Sequence, residues 1–145
     1  MPNGHPLVVH FPIALLSLAV VFEILARFVK PEEFSRMGWW LQLTGSIGLA
    51  LAVTTGLFIK DTVAVSPLAR PFLEAHEQMA FAASGIFALL LFWRIASKTR
   101  VPEKYALLYI ILLAAGVAVL WSGAWYGGEM VYRFGVGLKT IKGLL

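Results

Sequence analysis

Four apolar stretches, each long enough to cross a bilayer, alternate along the chain with short polar breaks. The first covers about residues 7–29 and stops at Lys30-Pro31-Glu32-Glu33, a charged run with the proline of a turn. The second covers about 39–59 and ends at Lys60-Asp61. A linker with Ser66-Pro67 and Arg70-Pro71 leads to the third, about 72–96, which opens on the polar turn Glu74-Ala75-His76-Glu77-Gln78. The fourth covers about 105–126, with Gly127-Gly128 expected to close it. Residues 129–145 form a basic, partly apolar tail suited to a membrane interface. A spanning helix needs roughly 20 apolar residues. The pattern therefore predicts an all-α fold: an integral membrane up-down four-helix bundle, one domain over residues 1–145.

Composition agrees. Hydrophobic residues make up 59% of the chain and charged residues 14%, with a mean hydropathy of +0.80. Soluble domains are about one quarter charged, so a water-facing surface does not account for this balance. Lipid-facing positions do, because they must be apolar as well as the core. No Lys or Arg precedes the first stretch and no small-residue cleavage site follows it, so it reads as an uncleaved span rather than a signal peptide. The chain has no cysteine, which excludes disulfides, thiolate-held iron–sulfur and zinc sites, and c-type haem attachment.

The net charge of +4 is spread over the loops and is read as membrane orientation, not nucleic-acid binding. Of the twelve basic residues, Arg27, Lys30, Arg36, Arg94, Lys98, Arg100 and Lys104 fall on the side of the first and third connections. The other side has Lys60, Arg70, Arg133, Lys139 and Lys142, two of them far from any span. This bias places the two basic loops in the cytoplasm and both termini on the exported side of the inner membrane. The five tryptophans fall near span ends, where an aromatic belt belongs.

That topology brings all three histidines to one leaflet from segments distant in sequence: His5 and His10 on the first span, His76 on the third. His10 and His76 each lie roughly one turn inside their spans. In an up-down bundle the first and third helices are diagonal, about 13 Å apart if neighbouring axes are about 8–10 Å apart. Two imidazoles facing across that gap can hold one iron, with a porphyrin standing between the other two helices. Those helices are thin: Gly45, Gly48, Ala52 and Gly56 share one face of the second span, and Gly116, Gly123 and Gly127 one face of the fourth. Gly56 and Gly123 lie level with the histidines. Arg70 and Arg133 are placed to neutralise haem propionates. Small faces of this kind also let membrane helices pack with no ligand at all. His5, next to Pro6, is read as a cap or interfacial residue, and Glu23 as the partner of Arg27 at i+4.

The opening His5-Pro6-Leu7-Val8-Val9-His10-Phe11-Pro12-Ile13-Ala14 resembles the HPxxVHFPIxL start of the DUF2231 family of bacterial membrane proteins. The stretch Gly127-Gly128-Glu129-Met130-Val131-Tyr132-Arg133-Phe134-Gly135-Val136-Gly137 resembles that family's GGxLVYxHGVGV close. The resemblance covers essentially the whole chain. It implies fold and topology but no activity. Phe134 stands where the family often has His, so that histidine is not a required ligand here. Some members resemble fusions to Rieske-type iron–sulfur domains, an association with redox work in the membrane.

The readings are therefore three. The first is an electron-transfer subunit with one b-type haem on His10 and His76, passing electrons between quinol and an exported acceptor such as a periplasmic redox protein or a larger respiratory complex. The second is a cofactor-free accessory subunit of a larger membrane complex. The third is an outward-facing metal or quinone site built from His5, His10, His76 and Glu129.

Overall fold

The computed structural model describes residues 4–138 and contains four long helices. These are α1 (His5–Leu25), α2 (Pro31–Lys60), α3 (Arg70–Ala96) and α4 (Ala106–Tyr132), with a 3-10 turn at Glu103–Tyr105 before α4. All four are long and apolar enough to cross a membrane. Residues 139–145 of the expected interfacial tail lie outside the described residues.

The two largest departures from the expected helix limits each have a local reason; α1 also ends earlier than expected, at Leu25. α2 begins eight residues before the apolar stretch, because Pro31 opens the helix instead of breaking the chain. Proline suits the first turn, where its missing N–H would have no partner, and Glu32 and Glu33 favour the positive helix end. α4 runs on through Gly127-Gly128 to Tyr132. Glycine ends a helix when water competes for the backbone, and within a packed apolar bundle that competition is absent.

The buried positions follow one rule. They are Pro12, Leu16, Ala19 and Glu23 on α1; Gly38, Gln42, Gly45, Leu49 and Ala52 on α2; and Ala83, Phe87, Leu90 and Arg94 on α3. On α4 they are Ala106, Tyr109, Leu113, Gly116, Leu120, Gly123 and Met130. Steps of three and four alternate almost throughout. This is a repeat of about 3.5 residues, the spacing that keeps one seam turned toward neighbouring helices in a bundle. Off the seam, residues such as Leu51, Leu89, Phe92 and Leu107 are exposed on the outside, as lipid-facing positions are.

α1 packs along α2, and α3 along α4, as two hairpins. α1 against α4 and α2 against α3 join them, and α1/α3 and α2/α4 are the diagonals. Within the first hairpin the approach depends on glycine. A Cβ on Gly45 would lie 2.7 Å from Leu16 Cγ, and one on Gly48 would lie 3.4 Å from the ring of Pro12. The small face of α2 is thus filled by α1. That of α4 is filled by α3, with Gly116 against Phe87 and Gly123 against Met79.

Gly45→Ala is expected to lower stability by about 1–3 kcal/mol, because the added methyl has no room without shifting Leu16. Gly85→Ala is the control: nothing lies within 4 Å of its added Cβ. Unfolding of the detergent-solubilised variants compares them. Equal stability of the two would contradict this packing.

Candidate functional site: polar clusters at the two ends of the bundle

The seam is apolar through its middle and polar at both ends. At the end bearing the first and third connections, Arg94 of α3 is fully buried. Its five N–H donors all find acceptors. Nε donates to the Thr99 carbonyl (3.1 Å). One terminal nitrogen donates to Glu23 and to the Tyr109 hydroxyl (3.4 Å). The other donates to the Ser35 carbonyl (2.5 Å) and to Ser35 Oγ (3.3 Å). The guanidinium also lies 5.8 Å from the Trp39 ring centre and 5.6 Å from that of Tyr109. Tyr109 donates in turn to Gln42 Oε1. One side chain therefore ties together α1, α2, α4 and the α3–α4 connection. A built Cβ on Gly38 would overlap the Glu23 carboxylate, so only glycine leaves space for that group.

The backbone bends to complete the cluster. Lys98 and Thr99 are both left-handed, at φ of +52° and +66°. For residues with side chains this conformation costs about 1–3 kcal/mol each. It turns the Thr99 carbonyl toward Arg94 Nε, while the Thr99 N–H caps the Arg94 carbonyl at 2.8 Å.

This arrangement corrects one sequence reading. Glu23 pairs with Arg94, 71 positions away, and not with Arg27. Arg27 reaches Glu103 at 2.7 Å instead.

At the opposite end, the structure brings together His5 and His76. Their ring centres are 6.4 Å apart and their planes nearly perpendicular, at 88°. His5 Nδ1 lies 3.0 Å from Thr55 Oγ1, whose hydroxyl donates to the Ala52 carbonyl. Which of the two atoms donates follows from the His5 tautomer. His76 Nδ1 donates to the Gly123 carbonyl at 2.7 Å. His76 thus carries a proton on Nδ1, because a carbonyl oxygen only accepts.

Glycines flank both rings. A Cβ on Gly56 would lie 3.1 Å from His5 Cε1, and one on Gly127 would lie 3.2 Å from His76 Cε1.

His10, expected to face His76, does not. It is exposed, and its Nδ1 donates to the Pro6 carbonyl of its own helix at 2.5 Å. The reason is phase. His10 precedes the buried Pro12 by two residues, about 200° around the helix, whereas His5 precedes it by one heptad.

The other expected site residues are spread out. Gly56 touches His5, and Gly123 supplies the carbonyl for His76. Arg133 pairs with Glu129 at 3.5 Å and lies over the rings of Phe134 (5.4 Å) and Phe72 (6.0 Å). Arg70 is exposed on a groove of about 420 Å³ that it shares with Lys60, Asp61, Glu74 and Glu77. Among the described residues no three His, Asp or Glu side chains gather closely enough to hold a metal ion, so His5, His10, His76 and Glu129 do not form one site.

A haem iron can be weighed against this geometry. Two metal–nitrogen bonds of about 2.0–2.1 Å and a ring radius of about 1 Å on each side put trans imidazole centres roughly 6 Å apart. The observed 6.4 Å fits. A hydrogen bond from Nδ1 to a fixed oxygen is also the usual support of an Nε2 ligand. The macrocycle is the tighter test. The expected slot beside the glycines of α2 and α4 is taken by α1 and α3, so a porphyrin enters only if the hairpins part at this end. Packing there is looser: above Pro12 on α1, Ala52 on α2 and Ala83 on α3, the seam residues are half-buried.

Fold and seam together define a four-span helical membrane protein with a buried ion pair at one end and a histidine pair at the other. The chain belongs to the DUF2231 family, described as predicted membrane proteins, whose model matches residues 2–140. Comparison with curated proteins and with solved structures finds no match.

Arg94→Ala is expected to cost about 3–5 kcal/mol, because it strands the Glu23 carboxylate in an apolar bundle. A double Arg94→Met, Glu23→Leu variant should recover most of that loss. Arg27→Ala should change stability by less than about 1 kcal/mol, since Glu103 is largely in solvent. Thermal unfolding in detergent ranks the three; an Arg94→Ala protein as stable as Arg27→Ala would contradict the assignment.

Proposed function

We propose that this chain is a membrane electron-transfer subunit that binds one b-type haem, which His5 and His76 would hold. The observation carrying the reading is the pair itself: imidazoles from diagonal helices, 6.4 Å between centres, each with its Nδ1 within hydrogen-bond distance of an oxygen. Thr55 and the Gly123 carbonyl orient the two rings. Gly56 and Gly127 leave only backbone beside the rings. Bound iron would supply one-electron transfer. Arg70 and Arg133 belong to the same end and offer positive charge to carboxylates there. The excess of positive charge at the Arg94 end supports an inner-membrane orientation with both termini and the histidine pair on the exported side. Quinol is then the donor, and the acceptor is an exported redox protein or a respiratory complex.

A second reading has its own support. The glycine faces of α2 and α4 are filled by neighbouring helices, as in a cofactor-free accessory subunit of a larger membrane complex.

A visible spectrum of protein purified after haem-replete expression separates the two. The haem reading expects a Soret band that shifts on dithionite reduction, lost in His5→Ala and in His76→Ala but kept in His10→Ala. No Soret band in the wild type, or an unchanged spectrum in both His5→Ala and His76→Ala, rejects haem and leaves the accessory subunit. A cytoplasm-only reporter fused to the C-terminus should stay silent; a strong signal would reverse the orientation without touching the ligand assignment.

A further inference from the structure

Hydroxyls on membrane-spanning helices commonly donate to the carbonyl one turn back. Thr44, Thr54, Ser84 and Ser122 do so here, to Trp40, Ala50, Ala80 and Ala118, at 2.6–2.9 Å. Ser46 does not. Its Oγ is buried and has no hydrogen-bond partner among the described residues.

One turn earlier on the same helix, Gln42 is fully buried. Its Oε1 accepts from Tyr109, and its Nε2 has no partner among the described residues. Exchanging the amide oxygen and nitrogen does not remove the difficulty, because Tyr109 engages only one of the two atoms. Two unpaired polar atoms inside an apolar bundle are costly, and such groups are normally satisfied by water when protein cannot reach them.

The spacing suits one molecule. Residues four apart on a helix have Cβ atoms about 5–6 Å apart. A water oxygen at roughly 2.8 Å from each of two polar atoms spans that interval.

We infer that Gln42 and Ser46 form a buried binding site for a single water. The water accepts from Gln42 Nε2 and exchanges a hydrogen bond with Ser46 Oγ. It prolongs the chain Glu23, Arg94, Tyr109, Gln42 to Ser46, roughly 16 Å along α2 from Ser35 at a rise of about 1.5 Å per residue. Beyond it the seam is apolar at Leu16, Leu49, Phe87 and Leu113. A groove of about 270 Å³ lined by Ser35, Trp39 and Thr99 opens beside the outer end of the chain. Water therefore exchanges with the Arg94 end and not with the histidine pair. The inference does not depend on the haem reading.

The chain has two glutamines, Gln42 and Gln78, and Gln78 is exposed. Side-chain ¹⁵N labelling of glutamine in the full chain, reconstituted in lipid bilayers, allows water-to-amide transfer to be read by proton-detected solid-state NMR with Gln78 as internal control. Wild-type protein is expected to show a water cross-peak at the Gln42 amide. Ser46→Ala should abolish it, while Ser46→Thr, which keeps the hydroxyl, should retain it. A wild-type spectrum with a water cross-peak at Gln78 and none at Gln42 overturns the site. A Gln42 cross-peak of unchanged intensity in Ser46→Ala removes Ser46 from it and equally overturns the proposal.

Discussion

A guanidinium placed in an apolar bundle must be met by acceptors on every side, and Arg94 meets them with all five of its N–H groups. No single helix can supply that set. The carboxylate comes from α1, a carbonyl and hydroxyl from the first turns of α2, a phenol from α4, and a second carbonyl from the turn after α3. The cluster therefore fixes the mutual register of the four helices in a way that interchangeable aliphatic contacts do not. It also explains two local oddities: glycine at position 38, which clears the Glu23 carboxylate, and two consecutive left-handed residues at Lys98 and Thr99. Buried ion pairs are poor sources of stability compared with apolar packing but strong sources of specificity when one partner cannot be removed alone.

The opposite end is built differently. The charge pair that crosses it, Lys60 of α2 with Glu77 of α3 at 3.5 Å, is partly exposed, and the seam above Pro12, Ala52 and Ala83 is half-buried. The two hairpins are cross-tied by a buried charge at one end and joined at the other by small residues, imidazoles and the partly exposed Lys60–Glu77 pair. Thr55 and the Gly123 carbonyl orient the two imidazoles. The apolar layer of Leu16, Leu49, Phe87 and Leu113 separates this end from the Arg94 cluster.

The four spans were legible because hydropathy over 20 residues is a strong signal, and the diagonal placement of α1 and α3 followed from simple up-down connectivity. The site was only half legible. Depth in the span picks out His76, and for the same reason it favours His10 over His5. Depth along a helix says nothing about the direction around it. The signal that decides direction was present: His5, Pro12 and Ala19 are spaced by seven, and Glu23 continues the same seam, while His10 falls off it. On α3 the same step from His76 leads through Ala83 and Leu90, with Arg94 one turn further. Arg27 stands at i+4 from Glu23 and is visible in the sequence as a partner, whereas Arg94, 71 positions away, is not. The left-handed turn at Lys98-Thr99 could not be read at all, since neither residue favours that conformation and only the tertiary bond to Arg94 selects it.

The central claim is that His5, and not His10, faces His76 across the bundle. The natural absence of cysteine makes it directly testable. A His5→Cys, His76→Cys variant and a His10→Cys, His76→Cys variant, treated in native membranes with a short bifunctional thiol reagent, are compared by intact mass for intramolecular cross-linking. The account predicts an efficient cross-link in the first variant and none in the second. Cross-linking of the second pair with none in the first would contradict it.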